Sequence, residues 1–410
     1  MNERRVLLIC DFDPSSPLIG SLRVDRFATH LTELGWSVNA LSPAGVTRYA
    51  VEGRTAPPGV RDTHYERPVR GPLAARIHKL LLAVFYRLVA FPDRGIFTVP
   101  RIMRHADALG PWRPDVIVVS GPPFSTYLVA RKLARRYGVP WVADYRDLWT
   151  NSTYYLCGPL RRRIDRVVER RIVRTAALTT TVSEPLAEDL RRDFGVRCAV
   201  VMNGFEPDEI SAVERATPVP GLPLRIVYTG EIYEGKRDPA PLFEALRRLG
   251  VGPDTVQVEF RGITVLPLQE QAARAGVGDL VRVGPALPRA ECLALQQASD
   301  VQLLLMWNHP GEAGIYSGKL FEYLGSGRPI LMLGYEQGAA AALLRERSAG
   351  VVVNDPDDIA AAVAGWIEAK RRTGTVPGTA SDVVSGLTRR DQAAVLSDLL
   401  ENIRSNQPRR

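Results

Sequence analysis

Short apolar runs that alternate with helix-period stretches constrain this chain more than any other feature. Val6-Leu7-Leu8-Ile9, Val116-Ile117-Val118-Val119, Ile226-Val227-Tyr228, Leu303-Leu304-Leu305-Met306 and Ile330-Leu331-Met332-Leu333 are too short for helices and apolar at successive positions. A strand that is apolar on both faces belongs to a parallel sheet covered by helices. The alternation occurs once before and once after residues 207–223, which carry Pro207, Pro218, Pro220 and Pro223. The expectation is α/β architecture: two doubly wound domains joined by that proline-rich linker, residues 1–206 and 224–385, followed by a C-terminal helical segment, 386–410. A length of 410 residues is compatible with two to three domains.

In the first half, a strand over Arg4 to Cys10 leads into a Pro/Ser/Gly-rich loop, Asp11 to Ser21, and then a helix from Leu22 to Leu34. The loop has no G-x-G-x-x-G, so it does not point to a nicotinamide cofactor. Gly20 and Ser21 offer a place for a ligand to approach the backbone. Residues 42–75 read as loop. Arg76 to Phe91 has a helical apolar stripe, suited either to packing on a sheet or to lying on a membrane surface. The strand Asp115 to Ser120 turns through Gly121-Pro122-Pro123 directly into a helix ending at Tyr137. Asp144, Arg146 and Asp147 are expected just beyond the carboxyl end of the strand Gly138 to Ala143, where parallel sheets bind ligands. Arg161 to Arg174 reads as a mainly solvated helix, with Ile164, Val167, Val168 and Ile172 on its inner side.

Charge is uneven along the chain. Residues 1–210 hold 31 Lys+Arg against 22 Asp+Glu, while the remainder is nearly neutral. Either the first half meets an anionic surface, such as a membrane face or an acidic acceptor, or its arginines are simply solvated. No basic stretch interleaved with stacking aromatics suggests nucleic acid. Cys10, Cys157, Cys198, Cys292 and the five histidines lack metal-type spacing, so no metal centre is indicated. Scattered cysteines, a first apolar run too short for a signal peptide, and no run approaching ~20 apolar residues point to a cytoplasmic protein.

In the second half, the strand ending at Gly230 is followed by Lys236 and Arg237, cations able to neutralise a diphosphate. Further strands end at Gly262 and Gly284, a helix covers Glu291 to Ala298, and Val301 to Met306 aims at the stretch Gly311 to Ile330. That stretch reads as a glycine-rich loop, a helix capped by Ser317 and ended by Gly325 and Gly327, and a strand. A helix N-terminus behind a small-residue loop suits a phosphate. Lys319 and Glu322 share a helix face, and an acid one turn into such a helix suits ribose hydroxyls. The residues therefore point to a nucleotide-diphosphate site.

Ser120-Gly121-Pro122-Pro123, Asp144 to Trp149, Thr181-Val182-Ser183, Asn203-Gly204-Phe205, Tyr228-Thr229-Gly230 with Lys236, and Ser317 to Leu324 occur in an order and spacing that resembles retaining GT-B glycosyltransferases of family four, in particular the bacterial surface-polysaccharide branch. The resemblance implies two Rossmann-like domains facing a cleft, an N-terminal acceptor domain, a C-terminal donor domain and a final helix packed back on the N-terminal domain. It implies that Glu322, the second acid of the family's E-x₇-E pattern, holds the donor ribose. Lys236, helped by Arg237, meets the diphosphate, and main-chain N–H groups of Ser317, Gly318, Lys319 and Leu320 cradle it. Gly20 and Ser21 lie nearby, with Gly230, Gly284 and Gly314 in the donor site.

The implied activity is transfer of a sugar from a nucleotide donor, expected to be a UDP-sugar acting as co-substrate, to a glycan, lipid-linked or small-molecule hydroxyl. Neither cofactor nor metal is expected, and contact with the inner face of an anionic membrane is compatible with the charge distribution. The chain departs from the family pattern at three places. Gly314 stands where the first acid belongs, with Glu312 two residues earlier. Glu231 replaces the usual arginine after the first glycine. Asp144, Arg146 and Asp147 occupy the region where relatives place a histidine. A GT-B-fold sugar-nucleotide epimerase and a non-catalytic sugar-nucleotide-binding protein are the alternative functions.

Overall fold

Two parallel sheets, each flanked by helices, organise the computed structural model, which describes residues 3–11, 19–55, 90–155, 157–213, 217–232, 235–262 and 267–406. The chain divides into two units, Met1–Met202 with Arg389–Arg410, and Asn203–Thr388.

The first sheet contains β1 (Arg4–Ile9), β2 (Trp36–Ser42), β3 (Gly45–Ala50), β4 (Gly53–Thr55), β5 (Val116–Gly121), β6 (Trp141–Tyr145), β7 (Leu178–Thr181) and β8 (Cys198–Val200). Its order is β4-β3-β2-β1-β5-β6-β7-β8, antiparallel only at the β2–β3 and β3–β4 edges. The chain winds outward from β1 to β2 and then resumes at β5, so a switch point lies between β1 and β5. Val6, Leu8, Val116, Val118 and Val142 form its core with Val24, Phe27 and Leu31 of the helix Ile19–Glu33. Ala393, Leu396 and Leu400 of the terminal helix Arg389–Ser405 complete that core, and each buried Val, Leu or Phe side chain contributes about 1.5–3 kcal/mol.

The second sheet contains β9 (Leu224–Thr229), β10 (Val256–Arg261), β11 (Val281–Gly284), β12 (Val301–Leu305), β13 (Ile330–Leu333) and β14 (Gly350–Val352), ordered β11-β10-β9-β12-β13-β14 and parallel throughout. Its switch point lies between β9 and β12. Leu224, Ile226, Tyr228, Val256, Val258, Leu303 and Leu305 are buried there beneath the helices Ala240–Leu249 and Pro356–Thr373.

Several local expectations need correction. The first helix begins at Ile19, so Gly20 and Ser21 lie in its opening turn rather than in the preceding loop. Part of 42–75 is a hairpin: Val46, Thr47 and Tyr49 supply β-favouring residues, and Gly45 and Gly53 take φ of +138° and +137° at its turns. Most of the stretch Arg76 to Phe91 lies outside the described residues. The helix after Pro123 begins only at Thr126, and Asp93 accepts from the N–H groups of Phe124 and Ser125 just ahead of it.

The helix Pro159–Val173 is rotated relative to its expected orientation. Asp165, Glu169, Ile172 and Val173 face inward, whereas Leu160, Ile164 and Val167 are exposed. Hydrogen bonds explain the inversion: Asp165 accepts from Tyr155 and Arg161, and Glu169 accepts from Tyr145 and Thr150. Among the described residues, no helix is long and apolar enough to cross a membrane.

Candidate functional site

The carboxyl ends of β9 and β12 carry the densest collection of candidate residues. β9 ends in Tyr228 and Thr229, and Gly230 follows with φ +128°. Two helices are anchored to this strand end by side chains. Gln296, on the helix Arg289–Ala298, donates to Thr229 Oγ1 at 2.8 Å. Tyr323, on the helix Gly318–Ser326, accepts from Thr229 N–H at 3.1 Å. Both side chains are buried, so their hydrogen bonds fix where the helices begin relative to the strand.

Lys319 stands in the first turn of the helix Gly318–Ser326 and extends back to β9. Its Nζ donates to Tyr228 Oη at 2.9 Å and lies 4.5 Å from the Tyr228 ring centre. Tyr228 Oη in turn donates to Glu231 O at 2.7 Å, and the same carbonyl accepts from Arg237 Nη1 at 3.1 Å. Burial, reinforced by Arg237, pushes the Lys319 ammonium down to about 7, against the opposing charges of Glu322 and Glu231. Lys236 Nζ lies 4.8 Å from the ring of Trp307, just past β12, and Trp307 stacks on His309 at 4.2 Å. Three cations are thus placed around the ends of the two strands that flank the switch point.

Ser317 precedes the helix with extended backbone, but its hydroxyl makes no capping bond. Leu320 N–H closes on Ser317 O at 3.0 Å, which leaves the N–H groups of Gly318 and Lys319 at the helix N-terminus. Gly327 ends the helix with φ +71°. Gly325 lies inside the helix rather than at its end: a Cβ there would stand 2.5 Å from Ile210 Cδ1 and 2.7 Å from Phe205 Cδ2, so close packing requires glycine. Glu322 points to Arg289 at 2.6 Å, and Arg289 also reaches Glu209 at 3.0 Å. Gly314 is buried after the short 3₁₀ turn Pro310–Glu312, whose Glu312 is also buried. Gly284 ends the edge strand β11 against Arg261, two strands from β9. It is outside the immediate group around Gly230.

In the first unit, Asp144 lies within β6 rather than beyond its end. Its carboxylate is 1% exposed and accepts from Arg23 Nε and Nη2 at 3.0 and 2.9 Å, Ser120 Oγ at 2.7 Å and Thr180 Oγ1 at 2.9 Å. Burial by itself raises this carboxyl, but Arg23 and the two hydroxyls outweigh it and hold the group below the usual carboxylate range. Arg23 also donates to Val201 O and Met202 O. One ion pair therefore ties the first helix to β5, β6 and β7 and to the residues just after β8. Arg146 donates from Nε to Gly121 O at 3.2 Å and from Nη2 to Pro122 O. Asp147 is exposed.

Sequence alone does not mark Arg289 or Gln296, which sit at opposite ends of a short helix without a recognisable motif, and it places Arg23 only beside the loop residues Gly20 and Ser21. Their importance comes from tertiary partners distant in the chain.

Residues 21–204 match the family described as glycosyl transferase 4-like domain. No curated protein matches the chain in sequence. Among solved structures, it is similar to sucrose-phosphate synthase from Thermosynechococcus elongatus, at 14% identity and TM-score 0.64, over 99% of this chain and 100% of that one. It is similar to Anabaena HepE in complex with UDP and glucose, at 14% identity and TM-score 0.60, over 98% and 100%. WaaG, a glycosyltransferase involved in lipopolysaccharide biosynthesis, is similar at 14% identity and TM-score 0.52, over 96% and 99%. These likenesses establish a GT-B fold with two Rossmann-like domains. The domain match and the fold together support a glycosyltransferase.

Proposed function

We propose that the protein is a retaining glycosyltransferase that moves a sugar from a nucleoside diphosphate, UDP in the first instance, to the hydroxyl of a glycan, glycolipid or natural product. The observation that carries this reading is the convergence of Lys319, Arg237 and Lys236 on the carboxyl ends of β9 and β12. Parallel sheets bind ligands at such switch points, and the N-terminus of the helix Gly318–Ser326 adds main-chain donors there. The 21–204 domain match supports the same reaction class. Of the structural neighbours, HepE has been crystallised with UDP and with UDP-glucose, which supports a nucleotide sugar as donor.

In this reading Glu322 binds the ribose, while Lys236, Arg237 and the first-turn N–H groups meet the diphosphate. Gly314 and Glu312 border the transferred sugar. The cations stabilise the charge that grows on the departing diphosphate, and each well-placed donor of this kind lowers a reaction barrier by about 3 kcal/mol. Side-chain cations provide this neutralisation, so the reading asks for no metal ion. The leaving phosphate helps take the acceptor proton, so no strong protein base is needed, and alignment of the hydroxyl supplies proximity. The first unit provides the acceptor side. Arg146 and Asp147 belong there, and Asp144 acts by positioning its neighbours. The positive charge of the first half supports peripheral contact with an anionic cytoplasmic membrane face.

Incubation with UDP-, GDP- and dTDP-sugars, with and without acceptors, tests the proposal. Acceptor-dependent release of nucleoside diphosphate is expected with at least one donor. Donor isomerisation without release would identify an epimerase, and nucleotide binding without either reaction would identify a non-catalytic binding protein.

A further inference from the structure

Lys319 occupies a position that a helix-surface lysine has no structural need to take. Instead of facing solvent beside Glu322, its stem lies across Gly230. A Cβ on that glycine would stand 2.1 Å from Lys319 Cε and 2.4 Å from Nζ. The absent side chain at 230 therefore makes room for the lysine, in addition to permitting φ +128°. The adjacent residue is Glu231, where the resemblance to family four called for an arginine. A positive charge missing from the loop after β9 is thus restored at nearly the same place by a side chain from another element.

The surroundings of this ammonium point to an anionic ligand. Arg237 and Tyr228 face it from β9 and the following loop, together with Glu231. Cys292 faces it from the helix Arg289–Ala298, and Glu322 from its own helix. Among the described residues, no carboxylate lies within ion-pair distance of Lys319, and Glu322 is engaged instead by Arg289. Lys319 and Arg237 are thus brought together in a partly buried crevice, where like charges repel one another. We propose that the Lys319 side chain is a direct ligand of the donor diphosphate and supplies the cation that position 231 does not. This rests on the donor-site reading above. The depressed titration of Lys319 supports it: a bound dianion favours the protonated form, so nucleotide binding draws in a proton at mildly alkaline pH.

Calorimetric titration of the wild-type protein with UDP and with uridine, at pH 8 in two buffers of different ionisation enthalpy, tests the proposal alongside Lys319→Met and Lys319→Arg. UDP binding by the wild type is expected to take up protons, and uridine binding is not. Lys319→Met should lose about tenfold to a hundredfold in UDP affinity while its uridine affinity stays unchanged. Lys319→Arg should recover part of the loss. UDP affinity in Lys319→Met within twofold of wild type would overturn the proposal, as would equal losses for UDP and uridine. Should the methionine variant fail to fold, wild-type UDP binding without proton uptake would also overturn it. A wild type that binds no nucleoside diphosphate at all would overturn the donor-site reading itself, a result distinguishable from failure of the lysine's role alone.

Discussion

Arg289 Nη1 donates to Glu322 Oε1 at 2.6 Å while its Nη2 donates to Glu209 at 3.0 Å. The arginine therefore holds the carboxylate assigned to the donor ribose and restricts its rotamers. Glu322→Ala is expected to weaken UDP binding by about tenfold to a hundredfold, and Arg289→Ala by several-fold. If the arginine acts through Glu322, the double variant will bind UDP no more weakly than Glu322→Ala. A calorimetric double-mutant cycle checks this, and additive losses would show independent roles.

Gly230→Ala places a Cβ against Lys319 and forces an L-residue to φ +128°. It should cost about 1–3 kcal/mol of stability through backbone strain and also weaken UDP binding by displacing the lysine. In a Lys319→Ala background the stability cost should persist, while the further loss of UDP affinity disappears. Thermal melting and nucleotide titration of the same preparations separate the two effects.

Asp144 is the acid most deeply committed to internal partners in the first unit. Removing its carboxylate leaves Arg23 buried without its counter-charge, so Asp144→Ala should lose about 3–5 kcal/mol in urea denaturation. Because the Asp144 partners lie in the first unit, UDP affinity of the folded fraction is expected to stay unchanged. A loss of nucleotide affinity with little loss of stability would argue against a positioning role.

Burial pushes Glu169 up to about 7, although Thr150 and Tyr145 donate to it and Arg166 opposes the shift. Its unfolded carboxyl ionises near 4.5. The folded state therefore holds a proton that the unfolded state has already released. The stability this group contributes is present below about pH 4.5 and is lost as pH rises through about 7. The loss amounts to roughly 3 kcal/mol. Glu169→Gln, which stays neutral, should gain stability relative to wild type between pH 5 and pH 7.5. Equal pH dependence of the two proteins in denaturant melts would contradict the assignment.

The fold was legible because buried parallel strands appear directly as short apolar runs. Val116 to Val119 and Leu303 to Met306 are such runs, and the helices between them follow their own period. The hairpin Gly45–Thr55 was obscured by its glycines and arginines. The helix Pro159–Val173 was misoriented because apolar periodicity says nothing about acids whose hydrogen-bond partners lie elsewhere: Asp165 and Glu169 are drawn inward by Tyr155, Tyr145 and Thr150. At the candidate site, Lys236, Arg237 and Glu322 were legible from motif position. The reach of Lys319 to Tyr228, and the grip of Arg289 on Glu322, depend on the spatial meeting of elements 91 and 33 residues apart in the chain.

Where a nucleoside diphosphate binds is measured directly by a crystal structure of the protein with UDP. The diphosphate is expected to lie against Gly230 and the N–H groups of Gly318 and Lys319, with the Lys319 ammonium within hydrogen-bond distance of a phosphate oxygen and Glu322 accepting from a ribose hydroxyl. UDP bound away from the carboxyl ends of β9 and β12, with Lys319 still on Tyr228 and Glu322 still on Arg289 alone, would overturn this placement of the donor.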